Sequence, residues 1–280
     1  MQTLVSAGTV SNQGTFDNNS PILRALEVPS LKEEESTNFT AGFAVRPARG
    51  VSLSLDFYQV EVEDRIVYSS SIASSDSTTA VFEILADNNI TSLKFFTNAV
   101  DTKTKGVDFV GTYSMPAGDG TVDFSLSANI NETNIEGAIA TPDPIAAADV
   151  DIFDRKEQSR LTSARPDKKV LVGLGYTAEK YSVTLNNTLF GEVTWQHAAD
   201  ETLDQTFGAK VVTDVYFTYQ HTDMIGFGLG IQNLLDVFPD EIETGGDPVT
   251  DLGGRFKYPW EVNQFGFNGT TASASVNLHF

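Results

Sequence analysis

The chain has 280 residues, enough for one large β domain or two ordinary ones, and no cysteine, which excludes a disulfide framework and thiolate chemistry. Its formal net charge of −20 excludes a nucleic-acid partner, which would need a basic stripe. No apolar run reaches the roughly 18 residues of a membrane-spanning helix, a test that alternating transmembrane strands escape. The Met1 end shows neither a basic n-region nor an apolar h-region. The sequence therefore predicts either a cytoplasmic protein or a chain whose true N-terminus is missing.

Residues 1 to 30 carry no sustained period. Ser6 to Ser20 is rich in Gly, Asn and Ser and predicts a loop, and Pro21 to Leu26 predicts one helical turn. Lys32-Glu-Glu-Glu35 is a charge run and a natural boundary. Alternation then begins. Phe39, Ala41, Phe43 and Val45 share one parity, and after the turn Pro47-Ala-Arg-Gly50 so do Val51, Leu53, Leu55 and Phe57. Successive side chains on a strand point to opposite faces, so each run has one apolar and one polar face. The pattern continues as Val60 and Val62 on the other parity, which predicts a bulge or emergence from a membrane near Phe57-Tyr58.

A long connection follows, in which Ser74 to Thr79 is an N-cap zone and Ala80 to Ala86 a short helix. Val107, Phe109, Gly111, Tyr113 and Met115 predict a third strand, and Val122, Phe124, Leu126, Ala128 and Ile130 a fourth, joined by Pro116 to Gly120. A polar connection from about Glu136 to Asp167 leads to Val170, Val172, Leu174 and Tyr176. The two-residue turn Glu179-Lys180 then gives Val183, Leu185, Leu189, Val193 and Trp195 on one parity. After a loop from Gln196 to Gly208, Val211, Val215, Phe217 and Tyr219 reach the turn His221-Thr-Asp223. Ile225, Phe227, Leu229 and Ile231 then oppose Gly226, Gly228 and Gly230. Those glycines predict a smooth wall where another element packs closely. The last loop, Asp236 to Asn263, ends in a closing strand from about Gln264 to Phe280. In it Ala272, Ala274, Val276, Leu278 and Phe280 oppose Thr271, Ser273, Ser275, Asn277 and His279.

The connections run short, long, short, long along about nine strands. This is the pattern of an up-and-down barrel with tight turns on one rim and long loops on the other; a Greek-key sandwich has no reason to alternate so regularly. Tyr113, Tyr176, Tyr181, Tyr219 and Phe280 fall near the short turns, and Phe57, Trp195 and Phe265 near the long loops, as two interfacial girdles would require. The fold expected is all-β: a partial antiparallel up-and-down transmembrane β-barrel, about nine strands of a larger one. Counting back from Phe280 places residues 1–30 as an external loop remnant and 31–280 as the C-terminal part of the barrel. Nine is odd and leaves two open edges, so a fragment is expected.

Several stretches carry a resemblance. Leu31-Lys-Glu-Glu-Glu-Ser-Thr-Asn-Phe-Thr-Ala-Gly-Phe43 resembles the "LKPEKSTNYTLGF" stretch of TonB-dependent outer-membrane receptors. Leu55 to Ile66 looks like the family's next strand. Asn98-Ala-Val-Asp-Thr-Lys-Thr-Lys-Gly-Val-Asp108 resembles its "N-x-x-x-x-x-x-x-G-v-[DE]" strand, and Gln232 to Pro239 resembles "v-x-N-l-f-D-x-x-y". Gly269 to Phe280 resembles the C-terminal signal read by the outer-membrane assembly machinery. The resemblance covers residues 31 to 280. It implies a 22-stranded outer-membrane barrel around an N-terminal plug, taking up a scarce nutrient such as a siderophore, cobalamin or saccharide with energy delivered through TonB. The partners implied are outer-membrane lipid, the missing barrel strands and plug, and TonB through the absent N-terminal region.

Catalytic, cofactor and metal residues are expected to be none, and an enzyme is not expected. His197, His221 and His279 lack metal-ligand spacing and suit surface or interface roles. Asp143, Asp149, Asp151 and Asp154 could hold Ca²⁺ through loop oxygens, but lack the glycine-punctuated pattern of a dedicated site. No Ser/His/Asp set converges. Two alternatives remain: a soluble β-rich carbohydrate-binding protein or hydrolase, and a porin or adhesin barrel independent of TonB. The first would bury Val122, Phe124 and Leu126 against a second sheet; the second would lack a plug.

Overall fold

A computed structural model describes residues 2–6, 9–243 and 256–278. Its elements, in order, are β1 (Gln2–Ser6), β2 (Thr9–Thr15), α1 (Pro21–Ala25), β3 (Glu35–Val45), β4 (Val51–Tyr68), α2 (Ala80–Asp87), β5 (Ser92–Lys94), β6 (Phe96–Ala117) and β7 (Gly120–Glu136). There follow α3 (Asp143–Ala146), α4 (Arg155–Thr162), β8 (Lys168–Thr177), β9 (Tyr181–Phe190), β10 (Val193–Trp195), β11 (Gln205–Phe207), β12 (Lys210–Thr222), β13 (Ile225–Gln232) and β14 (Thr271–Leu278). Nine of the strands form one antiparallel sheet in the order β14-β13-β12-β9-β8-β7-β6-β4-β3. Each is paired with the next sheet strand in the chain, and β3 and β14 are its two edges. The short and long connections alternate as the sequence predicts, with tight turns at residues 46–50, 118–119, 178–180 and 223–224.

Register turns the parities into faces. One cross-strand row runs Tyr113, Phe124, Leu174, Leu185, Val215, Ile231, Ala272. Phe124, Leu126 and Val172 are exposed on this face, with no second sheet over them among the described residues. The opposite face carries Ser125, Ser127, Asn129, Thr184, Asn186, Ser273 and Ser275. Near the tight turns, the rings of Tyr113 and Phe124 stack at 6.3 Å, and those of Tyr176 and Tyr181 lie 5.8 Å apart.

The fully buried side chains lie elsewhere. Leu23, Leu26, Ile72, Val81, Leu93, Phe95, Ile145 and Ile152 have no exposed surface and form one cluster. They come from the segment before β3, the connection 69–95 and the connection 137–167. A second cluster joins Ala164, Val193, Trp195, Phe207 and Val262. The apolar core of the described residues is thus a folded layer over the long-connection rim. β6, with 22 residues, and β4, with 18, are about twice the length a bilayer-spanning strand needs, and their far ends reach into this layer.

Several expectations are corrected. There is no bulge at Phe57-Tyr58: Ala41 pairs with Phe57 and Thr40 with Tyr58 in unbroken register. The irregularity lies at Asp64, whose φ is +52° and which β6 skips over. Beyond Phe57 the apolar face continues as Gln59, Glu61 and Glu63, so the strand turns polar without slipping. β9 stops at Phe190; Val193 and Trp195 pair instead with Phe207 and Gln205 in a separate ribbon. Trp195 is buried in the second cluster and is no girdle residue. The closing strand starts at Thr271, not Gln264, and Phe265 packs its ring 5.4 Å from Phe190. His221 lies within β12, and the turn is Asp223-Met224. The unpatterned first residues contain β1 and β2, with β2 parallel to β5, and the polar connection 137–167 contains α3 and α4. His279 and Phe280 lie outside the described residues.

Candidate functional site

The layer over the long-connection rim begins at residues 31–36, which are tied down around Asp64. Asn98 accepts from the Lys32 N–H (2.9 Å) and donates to the Lys32 and Asp64 carbonyls (3.0 and 2.6 Å). Lys32 Nζ meets Asp64 at 2.5 Å, the Ile66 N–H donates to Glu34 at 2.6 Å, and the Asp64 N–H donates to Asp101 at 2.8 Å. Asn98 therefore serves β4 and the segment before β3 at once, and Lys32 to Glu34 bind the strand irregularity. Further down β6, Gly106 is needed by its neighbour. A Cβ there would lie 2.2 Å from the Tyr58 ring, which covers the glycine and accepts from Asn129 at 3.0 Å.

A second staple closes the last long connection. Asn233 and Asp236 both have left-handed backbone, φ +51° and +53°. The Asn233 side chain accepts from the Val237 N–H (2.9 Å) and donates to the Val237 carbonyl (2.8 Å). Thr270, at the other end of the connection, donates its hydroxyl to the Asn233 carbonyl (2.7 Å) and its N–H to Asp236 (2.9 Å). The chain thus leaves β13 and enters β14 through one hydrogen-bonded base.

Between the two apolar clusters runs a chain of charges. Lys94 meets Glu157 at 3.4 Å, and Arg160 bridges Glu157 (2.7 Å) and Glu261 (2.6 Å). Glu261 also takes Lys156 (2.9 Å) and the Trp195 indole N–H (2.7 Å). Glu157 and Glu261 are both buried, with side chains 7% and 8% exposed. Burial works to raise the Glu261 pKa, but Lys156, Trp195 and Arg160 outweigh it and hold the carboxyl below its ordinary value. A separate fork joins Arg155 to Asp204 at 2.7 and 3.1 Å, and Arg155 also donates to the His197 carbonyl at 3.0 Å. Burial raises the Asp204 carboxyl; Arg155 and the His197 N–H pull it below its usual range.

The residues singled out from sequence do not converge. Asp154 caps α4, accepting from the Glu157 N–H at 2.9 Å, so its oxygen is spent on the backbone. Asp149 occupies a turn with φ +53°. No group of three or more His, Asp or Glu able to hold a metal ion assembles among the described residues. His197 uses Nδ1 to accept from the Asp200 N–H (2.9 Å), and His221 lies against Tyr219 and Phe227. The glycines of β13 face space taken by neighbouring strands: a Cβ at Gly228 would meet Ser275 Oγ at 2.6 Å, and at Gly230 Ser273 Oγ at 2.9 Å. Sequence reasoning missed Arg160, Glu157 and Glu261. The one signal available was Asp154 three residues before Glu157, a helix-start spacing.

An antiparallel up-and-down sheet, apolar on one face, polar on the other and with long connections on one rim, defines the wall of an outer-membrane barrel. A family model described as TonB dependent receptor-like, β-barrel matches residues 3–234, and the chain belongs to that family. It is an outer-membrane protein of the Gram-negative type. Among solved structures it is similar to a variant of the ferric enterobactin receptor PfeA from Pseudomonas aeruginosa, with TM-score 0.56, 15% identity, and coverage of 89% of this chain and 31% of that one. It is also similar to the FrpB iron transporter from Neisseria meningitidis (TM-score 0.57, 10% identity, 90% and 32% covered). A third is the outer-membrane transporter YddB from Escherichia coli (TM-score 0.57, 11% identity, 89% and 33% covered). At these identities the likeness shows the fold. The chain spans about a third of the length of these proteins. No curated protein matches it.

Proposed function

We propose that the chain supplies nine adjacent wall strands of a TonB-dependent outer-membrane receptor that takes up a scarce nutrient. Residues 31–280 are wall and long connections, and residues 1–30 belong to the external layer. The observation that carries this is the coincidence of two alternations: apolar and polar faces along each strand, and short and long connections between strands. The open edges β3 and β14 call for further strands, because unpaired backbone is costly in lipid. Those strands, a plug filling the lumen and TonB are the partners this reading requires. The segment from Gly269 onward would be read by the assembly machinery. The named neighbours handle ferric enterobactin and iron; an iron chelate is the first substrate to try, with cobalamin and saccharides next. Nothing in the reading assigns an enzymatic step.

The absence of cysteine makes the test direct. Single cysteines at Leu126 and Leu174 in intact outer membranes should react with a membrane-soluble maleimide and resist a water-soluble one. Cysteines at Ser125 and Ser127 should react with the water-soluble reagent once the lumen is open. Equal water-soluble labelling of both sets, or recovery of the protein from the cytosol alone, would overturn the proposal.

A further inference from the structure

One charge chain touches all four long connections. Lys94 lies in 69–95, Lys156, Glu157 and Arg160 in 137–167, Trp195 in 191–209, and Glu261 in 233–270. We infer that this chain is a clasp and that the described parts of the four connections, 69–95, 137–167, 191–209, 233–243 and 256–270, keep or lose their order as a single layer over the rim, with Glu261 as the positioning residue that joins the last connection to the other three.

Three features support this. First, the chain is continuous: every link from Lys94 through Glu157, Arg160 and Glu261 to Trp195 is 3.4 Å or shorter. Second, it is mostly desolvated. Lys94 and Lys156 are 17% and 16% exposed and the two carboxylates less, with Arg160 the more open member at 37%, so loss of a cation leaves a carboxylate that water reaches poorly. Loss at one point therefore destabilises the next link instead of being absorbed by solvent. Third, it spans the seam between the two apolar clusters, since Trp195 and Val262 belong to one while Glu157 and Lys94 adjoin the other. Lys156 also lies 5.8 Å over the Trp195 ring, so the indole meets a cation on its face and a carboxylate on its edge. The last connection is held at its flank too. Gln264 donates to the Gly191 and Gly208 carbonyls at 2.5 and 3.0 Å, tying 233–270 to 191–209. Since the residues closing the clasp lie in β5, α4, β10 and the last connection, and none of them in the nine-stranded sheet, release leaves the wall strands paired. The inference stands on this geometry whether or not the rim receives a nutrient.

The test is hydrogen exchange on the full chain in outer-membrane vesicles, comparing wild type with Lys94→Met and Glu261→Gln. Lys94 does not touch Glu261. If the clasp is one unit, Lys94→Met accelerates exchange not only around residues 69–95 but also at Val193–Trp195 and 258–264, by at least about tenfold, and Glu261→Gln accelerates all four connections together. Amides of β7 and β8 stay at wild-type rates in both. Acceleration confined to the mutated connection in either variant, or no acceleration anywhere, would overturn the inference. A uniform loss of protection that includes β7 and β8 would also overturn it, because the connections would then not be a separable unit.

Discussion

Phe95→Ala is the sharpest test of where the core of this protein lies. Phe95 is fully buried in the first apolar cluster. Its backbone bonds to Ser69 do not involve the ring: the Phe95 carbonyl accepts from the Ser69 N–H at 2.8 Å, and the Phe95 N–H donates to Ser69 Oγ at 3.1 Å. Alanine therefore removes packing alone. A buried aromatic removes roughly 150–250 Å² from water, which at about 25 cal/mol per Å² gives ~4–6 kcal/mol as an upper figure. Core Phe→Ala losses of about 3–5 kcal/mol are the expected range. The assay is exchange of the two amides that bridge Ile72 and Leu93, each donating to the other's carbonyl at 2.9 Å. A loss of about 3 kcal/mol accelerates them by on the order of a hundredfold, while the heat-modifiable gel mobility of the barrel stays as in wild type. Unchanged exchange at Ile72 and Leu93, or barrel unfolding in parallel with it, would refute the separation of a packed loop layer from a lipid-supported wall.

The remaining predictions concern single contacts. Glu261 is held below the ordinary glutamate value of 4.5, so its contribution is fully present above that pH and is lost as pH falls through the lowered folded value; in a Trp260→Phe background, Trp195 emission should change on acidification before the strands unfold, and a change only with global unfolding would contradict this. Gly106→Val should cost about 1–3 kcal/mol by displacing the Tyr58 ring, and Gly106→Val with Tyr58→Ala should be less destabilised than the sum of the two, measured by urea midpoints; strict additivity would count against the covering ring. Asn233→Ala loses both bonds to Val237 and places alanine at φ +51°, for about 1–3 kcal/mol in all. Exchange and proteolysis at residues 233–243 should rise while the β13–β14 register persists, and a register slip would show that the staple does more than close the base.

The wall was legible because its information is local. Parity at Val122, Phe124 and Leu126 states which face is apolar without knowing any partner, and Gly118-Asp119 or Glu179-Lys180 announce their own turns. The layer was not legible because its order comes from distant contacts. β2 becomes a strand by lying parallel to β5, almost eighty residues away in sequence, for which residues 9–15 give no periodic sign. α4 escaped because its buried face is Glu157 and Ser159, not an apolar stripe; ion pairs from elsewhere make that burial tolerable. Trp195 was misplaced for the opposite reason: Val193 and Trp195 keep the parity of β9 across Gly191-Glu192, although the backbone has already turned away. Asn98 and Asn233 stood out in the sequence as a resemblance, and the structure supplies their chemistry: the Asn98 amide fastens Lys32 and Asp64, and the Asn233 amide closes the turn to Val237 while its carbonyl takes Thr270.

The Asn233–Thr270 base has a consequence for how such a protein can change over time. Because the connection is tied off where it leaves β13 and enters β14, the wall strands meet the same geometry whatever lies between the two ends. Extra length adds closure entropy only logarithmically, roughly 0.6 kcal/mol for each doubling. Apart from Glu261, Val262 and Gln264, which hold the layer together, residues beyond the knot can therefore be lengthened, shortened or exchanged while the β13–β14 pairing is left untouched. The long-connection rim can then be rewritten without renegotiating the wall that carries it.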